Sequence, residues 1–113
     1  MNTDIFFMEH INEEIDFLEG QFPKNREEEL FYNPVLQRAT LRSLDIIGDA
    51  VKYISSDFKV HNPRVEWKEI EKMSNELTHR YLEVEWYNII YIIFKWIPEL
   101  KKTVNKALID HSS

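Results

Sequence analysis

The sequence predicts an all-α fold, and three observations predict it. Only two glycines and four prolines interrupt 113 residues, too few turn formers for an all-β domain with many tight connections. Four separate segments repeat apolar residues at intervals of three and four, the spacing of one face of an α-helix. The connections between them are short and polar, and helices joined in this way pack as antiparallel neighbours. The expected architecture is an antiparallel four-helix bundle built as one domain over residues 1–113.

The first helix is expected over Asp4 to Gly20, where Ile5, Met8, Ile11, Ile15 and Leu18 form one stripe and Gly20 is a natural stop. A polar connector follows, Gln21 to Glu29, in which Asn25 and Glu28 have capping-box spacing for a short extra turn. Asn33-Pro34 opens the second helix, with Asn33 as N-cap and Pro34 in the first helical position. Leu36, Ala39, Leu44, Ile47, Ala50, Val51 and Ile54 carry its period to about Ser55. Gly48 lies inside it at a cost of roughly 1 kcal/mol relative to alanine, which marks close approach by a neighbouring helix or a bulky ring. Ser56 to Arg64 reads as a loop turning at Asn62-Pro63.

The third helix is expected from Val65 to His79, burying Trp67, Ile70, Met73 and Leu77. The fourth runs from Glu83 to about Leu108 on Trp86, Ile89, Ile90, Ile93, Phe94, Ile97 and Leu100. Pro98 is expected to bend it or to end its first half. Lys101, Lys102 and Lys106 are placed to complement the C-terminal end of its dipole. Tyr87, Tyr91 and Trp96 widen its apolar surface beyond one stripe, which fits equally a helix enclosed by its neighbours and a second buried face in a dimer.

Composition narrows the chemistry. The absence of cysteine removes disulfides, thiolate metal sites and a cysteine nucleophile, and fits a reducing cytoplasm. The net charge of −6 means that any phosphate site must be local. The N-terminal stretch is acidic rather than a basic start to an apolar run, so no secretory signal is read there. The most apolar segment, Trp86 to Ile97, contains Lys95 and falls short of the ~20 residues of a membrane span. No Gly-rich phosphate loop, Gly-x-Ser-x-Gly elbow or paired-histidine metal spacing is present, and His10, His61, His79 and His111 are far apart. No metal or cofactor is expected.

One segment stands out, Met73 to Tyr81. At about 100° per residue, His79 points away from the core direction set by Trp67, Ile70, Met73 and Leu77. Asn75 and Lys72 lie on nearly the same side, Ser74 sits at the edge of the apolar stripe, and Tyr81 falls back toward the core. Helical spacing alone makes none of these functional, because a histidine on a polar face is more often a solvated side chain than a catalyst.

Beyond spacing, the residues resemble a family. Asp4-Ile5, Leu41 to Ala50, Pro63 to Trp67 with Ile70, Asn75 to Tyr81, and Ile97 to Leu100 together resemble the HepT-like group of HEPN proteins over nearly the whole chain. The resemblance implies a homodimer and a metal-independent endoribonuclease with an Arg-x-x-x-x-His motif, supplied by both subunits to a cleft between them. It also implies the toxin half of a toxin–antitoxin pair, partnered by a minimal nucleotidyltransferase that adenylylates (AMPylates) the motif tyrosine, here Tyr81. By that correspondence His79 is the general acid/base and Asn75 orients the site or contacts phosphate. Two positions depart from the pattern. Asp49 replaces a glutamate, and Ser74 stands where the arginine belongs. A serine gives no positive charge to a phosphorane, and losing one such preorganised donor costs roughly 3 kcal/mol of barrier. Lys72 and Arg80 are the nearest cations in sequence, though neither holds the motif position. Two functions follow as alternatives: a ribonuclease toxin with an incomplete motif, or a non-catalytic dimeric adaptor that binds the nucleotidyltransferase and is its adenylylation substrate.

Overall fold

The computed structural model describes residues 2–22, 27–79 and 83–112, apart from the side chains of residues 2 and 75–79. The described residues are helical nearly throughout and contain no strand. In chain order they form α1 (Asn2–Gly20), a 3₁₀ turn (Glu27–Phe31), α2 (Pro34–Lys52), α3 (Ser56–Val60) and α4 (Trp67–His79). There follow α5 (Trp86–Tyr91), a π-helical turn (Ile92–Trp96) and α6 (Ile97–Ser112). Asn25, the suggested cap of the extra turn, lies outside the described residues.

The α1 stripe is buried as its spacing requires, with Met8, Ile11, Ile15 and Leu18 inaccessible and Ile5 packed at the margin. The helix ends at Gly20, but not through a left-handed glycine: a Cβ there would stand in open space and φ is ordinary. The chain tightens instead, Gln21 and Phe22 N–H donating to the Leu18 and Glu19 carbonyls at 3.0 and 3.1 Å.

α2 is the central element, packed on α1 along one side and on α4 along another. Asn33 Oδ1 accepts from both Val35 and Leu36 N–H at 3.1 Å, and Pro34 follows it, so the helix starts as the sequence indicates. Being enclosed on two sides, α2 buries small and polar residues (Thr40, Ser43, Gly48) as well as Leu36, Leu41, Leu44, Ile47 and Val51. Gly48 meets the predicted close approach. A Cβ there would lie 2.8 Å from the Ile70 carbonyl oxygen and 3.0 Å from the Ser74 amide nitrogen of α4.

α2 stops at Lys52, short of Ser55, and the expected loop contains the short helix α3. Both departures trace to Ser55. Its N–H and Oγ–H donate to the buried Asp4 carboxylate at 2.8 and 2.7 Å, while its Oγ accepts from Phe58 N–H at 3.2 Å and caps α3. The remainder of the connection is held by Asn62, whose side chain donates to the Phe58 carbonyl and whose own carbonyl accepts from the Trp67 indole at 2.9 Å.

The fourth predicted helix carries the largest correction. Pro98 does not end its first half; the helix, which begins at Trp86, departs from α geometry in the turn just before the proline. A proline in an α-helix leaves the carbonyl four residues back unpaired and clashes with it. Here the preceding turn widens, Ile97 N–H reaching the Ile92 carbonyl five residues back, and the helix continues to Ser112. Ile89, Ile93, Ile97, Leu100 and Val104 stay in the core, whereas Phe94, expected inside, is 46% exposed. The continued helix also shows that Lys101 and Lys102 belong to the start of α6 rather than to a C-terminal turn. Lys101 instead donates to Glu19 at 2.6 Å, tying α6 to α1, and that hydrogen bond and negative charge hold its ammonium above the usual lysine range.

The two glycines predict opposite outcomes. Gly48→Ala drives a methyl into backbone atoms of α4 that cannot rotate aside, and is expected to cost about 1–3 kcal/mol in urea unfolding despite the better helix former. Gly20→Ala is expected to add about 0.4–1 kcal/mol in the same measurement. Asp4→Ala removes two hydrogen bonds to a buried carboxylate and is expected to lower stability by about 2–3 kcal/mol, with Asp4→Asn losing less because it keeps one acceptor.

Candidate functional site

α4 is positioned by its inner face. Trp67, Ile70, Met73 and Ser74 are buried, and the backbone of Ile70 and Ser74 lies against Gly48. Ser74, placed by sequence at the edge of the apolar stripe, is only 5% exposed, and its hydroxyl donates over a long 3.4 Å to the Glu71 carbonyl. The position where the resemblance calls for an arginine therefore looks into the α2–α4 contact. Asp49, the other departure, is exposed and makes no side-chain hydrogen bond or ion pair among the described residues.

The opposite face of α4 carries Lys68 and Lys72, both exposed. The helix continues in register to His79, so backbone positions 75 and 79 follow 68 and 72 in one stripe at intervals of four, three and four. Lys72 and the positions of Asn75 and His79 thus share the side that the sequence assigns them. The side chains of Asn75 and His79, and the whole of Arg80 and Tyr81, lie outside the described residues.

Concave surfaces flank this stripe on both sides. On one side, between α4 and the α5–π segment, a cleft of about 260 Å³ is lined by Glu69, Lys72, Met73, Asn88, Tyr91, Ile92 and Trp96. The Tyr91 and Trp96 rings meet edge to face at 5.9 Å with planes 84° apart. On the other side, where α2 ends, a shallow groove of about 310 Å³ is lined by Lys52, Lys68, Lys72 and Glu71. The ammonium of Lys59 stands 3.4 Å from Glu71, so the groove's one carboxylate already has a counter-charge. Lys72 borders both depressions, 3.9 Å from Glu69. In a chain of net charge −6 this is a local reversal of sign.

The aromatic cleft was not singled out in the sequence as a site. Its one visible trace was the surplus of aromatic residues, Tyr87, Tyr91 and Trp96, on the fourth helix. Tyr87 and Tyr91 remain 76% and 54% exposed, so that surplus is not enclosed within the chain. Among the described residues no cluster of His, Asp or Glu side chains is placed to hold a metal ion, and no helix is long and apolar enough to cross a membrane.

Comparison with known proteins gives a consistent result. The profile of the "Ribonuclease HepT-like" family matches residues 11–107. The chain is 41% identical over 108 residues to "Putative RNase TTE0752" of Caldanaerobacter subterraneus subsp. tengcongensis, covering 96% of each. It is 36% identical over 76 residues to "Putative RNase MJ1380" of Methanocaldococcus jannaschii, covering 67% of this chain and 70% of that one. It is 32% identical over 100 residues to "Probable ribonuclease HepT" of Thermococcus cleftensis, covering 88% and 91%. No solved structure matches.

Proposed function

Because the chain belongs to the family of HepT-like ribonucleases, we propose that it is the toxin subunit of a toxin–antitoxin pair, a cytoplasmic homodimer of one-domain chains built as four-helix bundles, with weakened metal-independent endoribonuclease activity. The observation that carries the reading is the outward stripe of α4, on which exposed lysines lead to the positions of Asn75 and His79. Cleavage of RNA at its own 2′-hydroxyl needs a base for that proton, an acid for the leaving oxygen and a cation near the phosphorane. His79 supplies proton transfer, Asn75 orients the scissile phosphate, and Lys72 and Arg80 are the cations nearest to the motif in sequence. None of these replaces the arginine of the motif, since lysine lacks its planar two-point fork.

A second reading is favoured by one specific observation, the burial of Ser74 against Gly48. With no cation at that position, the chain serves as a dimeric adaptor that docks a minimal nucleotidyltransferase and presents Tyr81 for adenylylation.

Incubation with a mixed RNA pool in EDTA separates the two. A toxin is expected to cut slowly, to cut about 100- to 1000-fold faster as Ser74→Arg, and not at all as His79→Ala in either background. Thermal unfolding of Ser74→Arg is read alongside, since the substituted position is buried. If a folded Ser74→Arg protein is also silent, the ribonuclease reading fails. The adaptor reading then requires a gain of adenylyl mass with nucleotidyltransferase and ATP, abolished by Tyr81→Phe.

A further inference from the structure

We propose that the cleft between α4 and the π-helical turn is a nucleotide subsite, which takes one unpaired RNA base against Tyr91 and Trp96 while Lys72 and Lys68 hold the adjoining phosphates. The inference rests on the ribonuclease reading above and adds to it the place where the RNA strand is gripped.

Size, lining and position converge on this ligand. At about 260 Å³ the cleft lies just below the ≈300–1,000 Å³ of sites for drug-sized ligands, which suits a single base ring system. Its apolar lining pairs Tyr91 and Trp96 with Met73 and Ile92, and base–aromatic stacking is the usual way in which unpaired bases are held without regard to neighbouring sequence. The edge-to-face contact of Tyr91 and Trp96 leaves ring faces unstacked by each other, and Tyr91 is 54% exposed. Its polar groups are of the kind that reads a base edge: Asn88 both donates and accepts, and the Glu69 carboxylate accepts from an exocyclic amine such as cytosine N4.

Position joins these features to phosphate. Lys72 lies at the rim of the cleft and also of the lysine-lined groove on the other flank, and Lys68 lies one turn earlier on α4. A strand laid across the outer face of α4 would therefore place a base in the aromatic cleft and its backbone on the two lysines. The same face carries positions 75 and 79 one and two turns further along. The widened turn upstream of Pro98 forms the wall that holds Ile92 and Trp96, and π-helical turns of this kind are frequent at functional sites.

The test is binding of a fluorescein-labelled 2′-O-methyl oligocytidylate, which has no free 2′-hydroxyl to react, beside an abasic oligomer of equal length and charge. Tyr91→Ala is expected to weaken the base-bearing oligomer roughly 10-fold or more and to leave the abasic one unchanged, with Tyr91→Phe restoring wild-type affinity. Lys68→Gln and Lys72→Gln are expected to weaken both oligomers and to reduce the slope of log affinity against log salt by about 0.7 each, whereas Lys102→Gln on α6 leaves the slope unchanged. The subsite is overturned if the wild type binds while Tyr91→Ala affects both oligomers equally or neither. It is also overturned if Tyr91→Ala changes the mass seen by light scattering without a base-dependent loss, which would make the aromatic face a protein interface. Wild-type protein that binds neither oligomer removes the ribonuclease reading together with the subsite.

Discussion

The approach of α2 to α4 at Gly48 is the constraint from which the outer surface of α4 follows. Where a side chain would begin on α2, the carbonyl of Ile70 and the amide of Ser74 already stand. Both atoms are backbone, so the contact fixes the distance between the helices and also the rotation of α4 about its axis. With Ile70 and Ser74 turned inward, the stripe beginning at Lys68 and Lys72 is turned outward by the geometry of a helix with 3.6 residues per turn. A glycine on one helix thereby orients the candidate site on another. That role is separate from helix propensity, in which the same glycine is a defect.

The long C-terminal helix supplies the facing wall, and its shape follows from a second local conflict. Pro98 has no N–H to donate and crowds the turn before it. The structure resolves this upstream by adding a residue to the turn rather than downstream by ending the helix. Ile93 and Ile97 remain on the core, Phe94 turns outward, and Trp96 comes to the rim facing α4. A straight α-helix with alanine at position 98 would have no reason for the widened turn. The cleft is thus a consequence of the proline as much as of the aromatic residues that line it.

Signals confined to one helix were legible in the sequence, and those that depend on distant partners were not. The cap at Asn33-Pro34 and the α1 stripe rest on residues within a few positions, Gly48 shows itself as a glycine inside a helical period, and each is found as expected. The end of α2 and the existence of α3 rest on Ser55 meeting Asp4, 51 residues away, a pairing with no periodicity to betray it. The π turn escaped because periodic reading assumes one helical pitch throughout. For the site, the outward side of α4 could be read from its own apolar pattern. The aromatic cleft could not, since it forms only when Glu69 and Lys72 of α4 meet Asn88, Tyr91 and Trp96 of the next helix.

Ser74 stands where the resemblance places an arginine, and that position does not share a face of α4 with the two lysines. Two adjacent cations, Lys68 and Lys72, lie on the outward face of α4, while position 74 lies two residues beyond Lys72 and so about 200° around the helix, on the inward side. A lysine ammonium at position 72 can bind a phosphate in the ground state. It does not stand in for a cation at position 74, where the resemblance places the arginine of the motif. Interactions equal in the bound and transition states tighten binding without speeding the chemical step. On the ribonuclease reading, such lysines tighten the hold on RNA without speeding its cleavage, and salt screening limits their reach to about one Debye length, ~10 Å at 0.1 M salt.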